Sequence, residues 1–249
     1  MRAALRKSIP DTYYLSKTKI TSEASSARTA TLFTGGTLPA SVKNVTARES
    51  NPFDFDPPCN PYVPGFGDAN AHFHVVGDHP GIHGGAETGY PFTEFEASMR
   101  LQRALVAGGL LQEAGAPPVV EKTYFSYLYM CVPEGVPSPQ DYADLEAFFD
   151  AEVRAITAHV LLPVGERATK HVFRHMSAEP ADDVDMDAWH ATELSGSGWL
   201  ILPIKDPAAW DDADEDALVA ALETLLARDY RREADLGRFL PDDSPYMVR

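Results

Sequence analysis

Cysteine is scarce in this chain of 249 residues: Cys59 and Cys131 are the only two. Two sulfurs cannot build a disulfide scaffold or supply the four thiolates of an iron-sulfur cluster, so both are expected as free thiols. Long apolar runs are also missing. None approaches the about 18 residues that cross a bilayer, and the N-terminal stretch lacks the apolar core of a signal peptide. These absences exclude a membrane partner and predict a cytoplasmic protein. Positive charge is in short supply as well, with 21 Lys and Arg against 37 Asp and Glu and a formal charge of -16. The first 50 residues hold 8 basic and 3 acidic side chains, leaving 13 basic and 34 acidic beyond them. An acidic surface poor in lysine suits molar salt, where self-repulsion is screened, and predicts a halophilic source. Under such screening net charge does not exclude nucleic acid as a ligand.

What is present divides the chain in two. Residues 1–48 are Ser/Thr-rich, basic and without sustained periodicity, the composition of a flexible extension. Residues 49–249 form the expected domain, opening on the Pro/Gly-rich "NPFDFDPPCNPYVPGFGDANA". Strands and helices then alternate. "HFHVVG", "KTYFSYLYMCV", "HVLLPVG" and "GWLILPI" read as strands, each followed by a segment of helical periodicity. Thr93 and Glu96 are spaced as a capping box for the first helix, and Ser138-Pro139 opens the second as N-cap and N1. The pattern predicts a three-layer α/β/α sandwich on a short, mostly parallel, four-stranded sheet.

The chemistry concentrates in "HFHVVGDHPGIHGG", residues 72–85. His72 and His74 alternate on a strand and, with His79 and His83, raise the possibility of metal ligands. The segment matches neither G-x-x-x-x-G-K-[ST] nor G-x-G-x-x-G, which excludes the common phosphate loops. What remains is a Gly/Pro turn at the C-terminal end of the first strand, bringing Asp78, His79 and His83 into the crevice where open α/β sheets build their sites.

The run "VVGDHPGIHGGAETGYPFT" resembles the first motif of the uracil-DNA glycosylase superfamily, in particular its iron-sulfur (family 4) branch. "VPGFGDANA", "TYFSYLYMCVPEGVPSPQDYADLEAFF", "HVLLPVGERATKHVF" and "LILPIKDPAAW" follow that branch in the same order, over about residues 57–230. The resemblance implies a DNA-repair glycosylase that flips a uracil or other deaminated base out of damaged DNA and hydrolyses its glycosidic bond. It implies catalytic roles for Asp78, His79 and His83. It implies base binding by Gly77, Pro80, Gly81, Phe92 and Tyr127, with Phe92 stacking on the base and main-chain amides from His79 to Gly81 receiving the pyrimidine O2. DNA contact and leaving-group stabilisation would come from the loop Lys205-Asp206-Pro207.

The chain departs from the family pattern at two of these places. Tyr127 stands where many members have a base-reading Asn, and Asp206-Pro207-Ala208 stands where they have His-Pro-Ser. Of the family's cluster cysteines Cys131 aligns and Cys59 marks a remnant, so no [4Fe-4S] cluster, no other cofactor and no metal is expected. A monomer is expected. Two alternatives stay open: a catalytically inactive superfamily member that binds nucleotide, nucleic acid or a protein partner, and a His-dependent metal hydrolase.

Overall fold

The computed structural model describes residues 57–231 and 247–248. The extension expected over residues 1–48 and the domain boundary at residue 49 lie outside the described residues. Strands β1 (Phe66–Asp68) and β2 (Phe73–Gly77) come first, then the single turn α1 (Pro80–His83) and helix α2 (Glu96–Ala107). A small hairpin, β3 (Leu111–Glu113) and β4 (Val119–Val120), leads to β5 (Thr123–Tyr127) and the long helix α3 (Pro139–Ile156). The chain continues through β6 (Val160–Pro163), α4 (Gly165–Met176), α5 (Met186–Trp189), β7 (Leu194–Ser195) and β8 (Leu200–Ile201). Helix α6 (Asp212–Leu226) and strand β9 (Met247–Val248) complete it.

The four strands expected from the sequence are β2, β5, β6 and β8. They lie side by side in the order β8-β6-β2-β5 and run parallel. The sheet is nevertheless larger than the four strands expected, because β7 pairs antiparallel at one edge and β1 and β9 extend the other, making seven strands among the described residues. These additions are two or three residues long, too short for an alternating pattern to register in sequence.

Alternation along the central strands builds the layers. Phe73 and Val75 of β2, with Val160 and Leu162 of β6, point into one core with Leu101 and Leu105 of α2 and Leu218 and Leu222 of α6. The intervening Val76 and Leu161 point the other way, onto Phe149 and Val153 of α3 and Ala168 and Val172 of α4. Both faces of the sheet are therefore covered, which is the expected α/β/α sandwich.

The two helix-start signals have different fates in the structure. Ser138 caps α3 and forms a full capping box with Asp141, as Ser138-Pro139 predicts. The box expected at Thr93 and Glu96 does not form: α2 starts after Phe95 without a side-chain cap, and the Thr93 hydroxyl instead donates to the Tyr90 carbonyl at 2.7 Å. The free thiols expected at Cys59 and Cys131 are also corrected, because the two residues form a disulfide with Cα atoms 5.9 Å apart. It ties the segment before β1 to the chain just after β5, where Tyr62 and Cys131 also form a β-bridge. Partners 72 residues apart become neighbours only once the sheet has formed.

Candidate active site

Asp78 follows the last residue of β2 at the C-terminal end of the parallel strands, where such sheets open a crevice. The crevice is a cleft of about 590 Å³, walled by Asp78, Ile82 and His83 on one side, Pro139 and Tyr142 from α3, and one face of α4 from Gly165 to Arg174. Both oxygens of the Asp78 carboxylate are engaged. Tyr142 Oη donates to Oδ1, and Arg167 Nε donates to Oδ2 at 3.2 Å. The Arg167 guanidinium also lies over the Tyr142 ring, 4.5 Å from its centroid. Burial, and then the neighbouring Asp78 charge, push the Tyr142 hydroxyl above the ordinary phenol range, so it stays a donor. The result is an oriented carboxylate at the cleft wall.

His83 is the second polar group at this wall. It ends the α1 turn, is buried, and its Nε2 is shut off from solvent with no hydrogen-bond partner. Burial lowers its pKa to about 4 against the opposing pull of Asp206 and Asp78, so the imidazole is neutral at physiological pH. His79 caps the same turn by accepting the Gly81 N–H on Nδ1 at 3.1 Å. That bond uses the Gly81 amide, and Pro80 has none, so the expected cradle of amides from His79 to Gly81 is reduced by two donors. Burial also lowers the His79 pKa, against Asp78 and with Arg167.

The remaining expected site residues fall into two groups. Phe92 and Tyr127 are fully buried and do not line the cleft; the rings of both lie against His83, at centroid distances of 5.1 and 6.1 Å. Tyr127 Oη is satisfied internally, accepting the Phe92 N–H at 2.7 Å and donating to the Gly84 carbonyl at 2.9 Å. Gly77 explains why a glycine ends β2: a Cβ there would stand 2.6 Å from Phe92 Cζ and 2.7 Å from Tyr127 Cε1. In the second group, Asp206 lines the cleft and caps the turn that Pro207 opens, accepting the Ala208 N–H at 2.9 Å. Lys205 is turned elsewhere. Its ammonium lies 2.6 Å from Asp187 and 3.2 Å from Asp214, tying α5 to α6.

The strand histidines do not form a joint ligand pair as their alternation suggests. His72 Nδ1 is 2.9 Å from Tyr230 Oη, whereas the buried His74 Nε2 is 2.7 Å from Ser126 Oγ of β5. Among the described residues no group of three or more His, Cys, Asp or Glu is arranged to hold a metal ion.

Sequence reasoning missed Tyr142 and the basic wall of α4. Tyr142 reads as part of the apolar face of α3, and only its hydroxyl reaches the site. Arg167, Lys170, His171 and Arg174 all line the cleft. Their spacing puts them on one face of a helix, a signal present in "ERATKHVFRHM" and masked by the acidity of the chain.

Residues 64–225 match the family described as the uracil DNA glycosylase superfamily. The chain is 31% identical over 136 residues to the type-5 uracil-DNA glycosylase of Thermus thermophilus, covering 47% of this chain and 62% of that protein. It is 28% identical over 125 residues to the type-5 uracil-DNA glycosylase of Pyrobaculum aerophilum, covering 48% of this chain and 55% of that one. The chain thus spans less than two thirds of the length of these relatives.

Proposed function

Because the chain belongs to the uracil-DNA glycosylase superfamily, we propose that it hydrolyses the N-glycosidic bond of a uracil or other deaminated base flipped out of DNA into the cleft beside Asp78. The observation that carries this reading is the pairing of an oriented carboxylate with a buried, neutral imidazole whose Nε2 lacks a partner, at the C-terminal end of the central strands. In the reaction the bond from C1′ to the base nitrogen breaks and its electron pair leaves with the base. Positive charge then develops on C1′ and the ring oxygen, facing the Asp78 carboxylate. Water adds its oxygen to C1′ and passes a proton to Asp78. A departing uracil carries its negative charge onto O2 on the His83 side of the cleft, and the covered Nε2–H of His83, in the tautomer that carries the proton there, reaches that oxygen only as the ring turns toward the cleft it lines. The base anion then takes up one proton, and the proton held by Asp78 is released to solvent, which leaves the free base, an abasic site and the Asp78 carboxylate restored.

A four-thiolate iron-sulfur cluster does not fit these residues, since the chain has two cysteines and they are bonded to each other. The reading assigns no cofactor and needs none. Tyr142 and Arg167 act as positioning residues for the carboxylate. A second reading, a superfamily member that binds DNA without cleaving it, is favoured by Tyr127, whose hydroxyl is consumed by Phe92 and Gly84 in place of reading a base.

Product analysis separates the two. The protein is incubated at stoichiometric amounts with oligonucleotides holding one uracil, hypoxanthine or xanthine, and abasic sites are revealed by alkaline cleavage. Cleavage lost in Asp78→Ala and strongly reduced in Asp78→Asn is expected. No abasic product on any substrate would move the assignment to the binding protein.

A further inference from the structure

We infer that the α4 wall of the cleft is a track for the sugar-phosphate backbone of DNA, gripped by the side chains of Lys170 and Arg174 with His171 between them. The identity of the strand as DNA rests on the glycosylase reading; the track itself rests on the distribution of charge. In a chain of formal charge -16, three cations, Arg167, Lys170 and Arg174, line this one cleft. They recur every three or four residues, so they share a face of α4 and span about 10 Å along its axis, about three steps of a DNA strand. Arg167 is shared with Asp78, so Lys170 and Arg174 are the cations that can be removed without disturbing the carboxylate.

Their present partners do not compete strongly. Lys170 pairs with Glu166 and Arg174 with Asp182 at 3.6 Å, and those two carboxylates are 60% and 99% exposed. Exposed ion pairs of this kind are weak and screened, and they give way to a bridging phosphate.

His171 supplies an independent observation. Its Nε2 is buried without a partner, although its ring lines both the main cleft and a side cavity of about 200 Å³ that continues between α3 and α4. Arg174 lines both spaces too. Held between Phe149 and His175, this neutral imidazole is covered at Nε2, so an anionic oxygen reaches that nitrogen only as the ring turns toward the spaces it lines. The carboxylates that face the same spaces, Asp78, Glu146, Glu166 and Asp206, confine an anionic strand to the line of cations.

The test measures binding of the full chain to labelled uracil-free duplex DNA by fluorescence anisotropy, across KCl from about 0.1 to about 1 M. Lys170→Ala/Arg174→Ala is compared with Arg154→Ala, an exposed position on α3 that pairs with Asp150 and does not line the cleft. Each lost phosphate contact lowers the slope of log affinity against log salt by about 0.9, so the double variant should lose about 1.8 of slope and bind about 30-fold more weakly at about 0.15 M salt. Arg154→Ala should match the wild type. The inference is overturned if the double variant binds like the control, if the wild type binds no DNA, or if RNA of the same sequence binds more tightly. Failure of the catalytic reading shows separately: DNA binding that depends on Lys170 and Arg174, with no abasic product, retains the track and removes the glycosylase.

Discussion

Glu152 is a buried carboxyl on α3 that does not line the cleft, and substituting Gln should change how stability depends on pH. Its Oε1 accepts the Gly65 N–H and the Tyr124 hydroxyl, each at 3.1 Å, and its Oε2 is buried without a partner. Burial pushes the carboxyl up to about 8 from an ordinary 4.5, against the smaller opposing effect of those two hydrogen bonds. A folded-state pKa above the unfolded one gives stability that is complete below the unfolded value and is lost as pH rises through the folded value. The loss is about 1.4 kcal/mol per pH unit across that window, or on the order of 3 kcal/mol by pH 7. Glu152→Gln keeps the Oε1 acceptor and removes the titration. The buried imidazoles His74, lowered by burial to about 3, and His171, lowered to about 4, act with the opposite sign. Their stability is complete above the unfolded histidine value and falls on acidification, but it is common to both proteins and cancels in the difference. Urea unfolding followed by circular dichroism, from pH 5 to 9 at fixed ionic strength, measures that difference. It should climb in favour of Gln from pH 5 to 8 and then level off. A difference that stays flat across that range would refute the reasoning.

Three further outcomes follow from particular contacts. Cys59→Ser opens a link between residues 72 apart and should cost on the order of 4 kcal/mol by loop-closure entropy, measured by denaturant unfolding; a reductant should shift the wild type equally and leave the variant unmoved. Tyr127→Phe leaves the Phe92 N–H and the Gly84 carbonyl unpaired inside the core, and a loss of roughly 2–5 kcal/mol is expected by the same assay. Because burial holds His83 near 4, any glycosylase rate should show no inflection near pH 6.5 assignable to His83 and should fall only as pH approaches 4; a wild-type inflection near 6.5 that disappears in His83→Gln would contradict the neutral assignment.

The layers and the parallel heart of the sheet were legible because β2 and β6 alternate Phe73, Val75, Val160 and Leu162 against Val76 and Leu161, a period-two signal on strands buried on both faces. Ser138-Pro139 was legible for the same local reason: a cap acts on neighbours in sequence. The Thr93 signal failed because the hydroxyl found a nearer acceptor in the Tyr90 carbonyl. At the site, Asp78 and His83 could be placed because strand ends deliver side chains to a known side of the sheet. Tyr142 and Arg167 could not, since their contacts with Asp78 bridge 64 and 89 residues of chain. Lys205 misled in the opposite direction: its position suggested an open cation, whereas Asp187 and Asp214 hold it.

The bond from Arg167 to Asp78 gives the cleft a form of competition. One guanidinium stands between two kinds of anion: the carboxylate it now touches on one flank and whatever polyanion settles along α4 on the other. It cannot satisfy both with the same N–H groups in full. An anion that draws Arg167 outward leaves Asp78 Oδ2 bare, while Tyr142 continues to fix the orientation of the carboxylate through Oδ1. The side chain is about half exposed, so the swing costs little packing. The two flanks of the cleft are therefore coupled through one side chain: what an anion takes from Arg167, Asp78 gives up, and Tyr142 alone then sets the direction of the carboxylate.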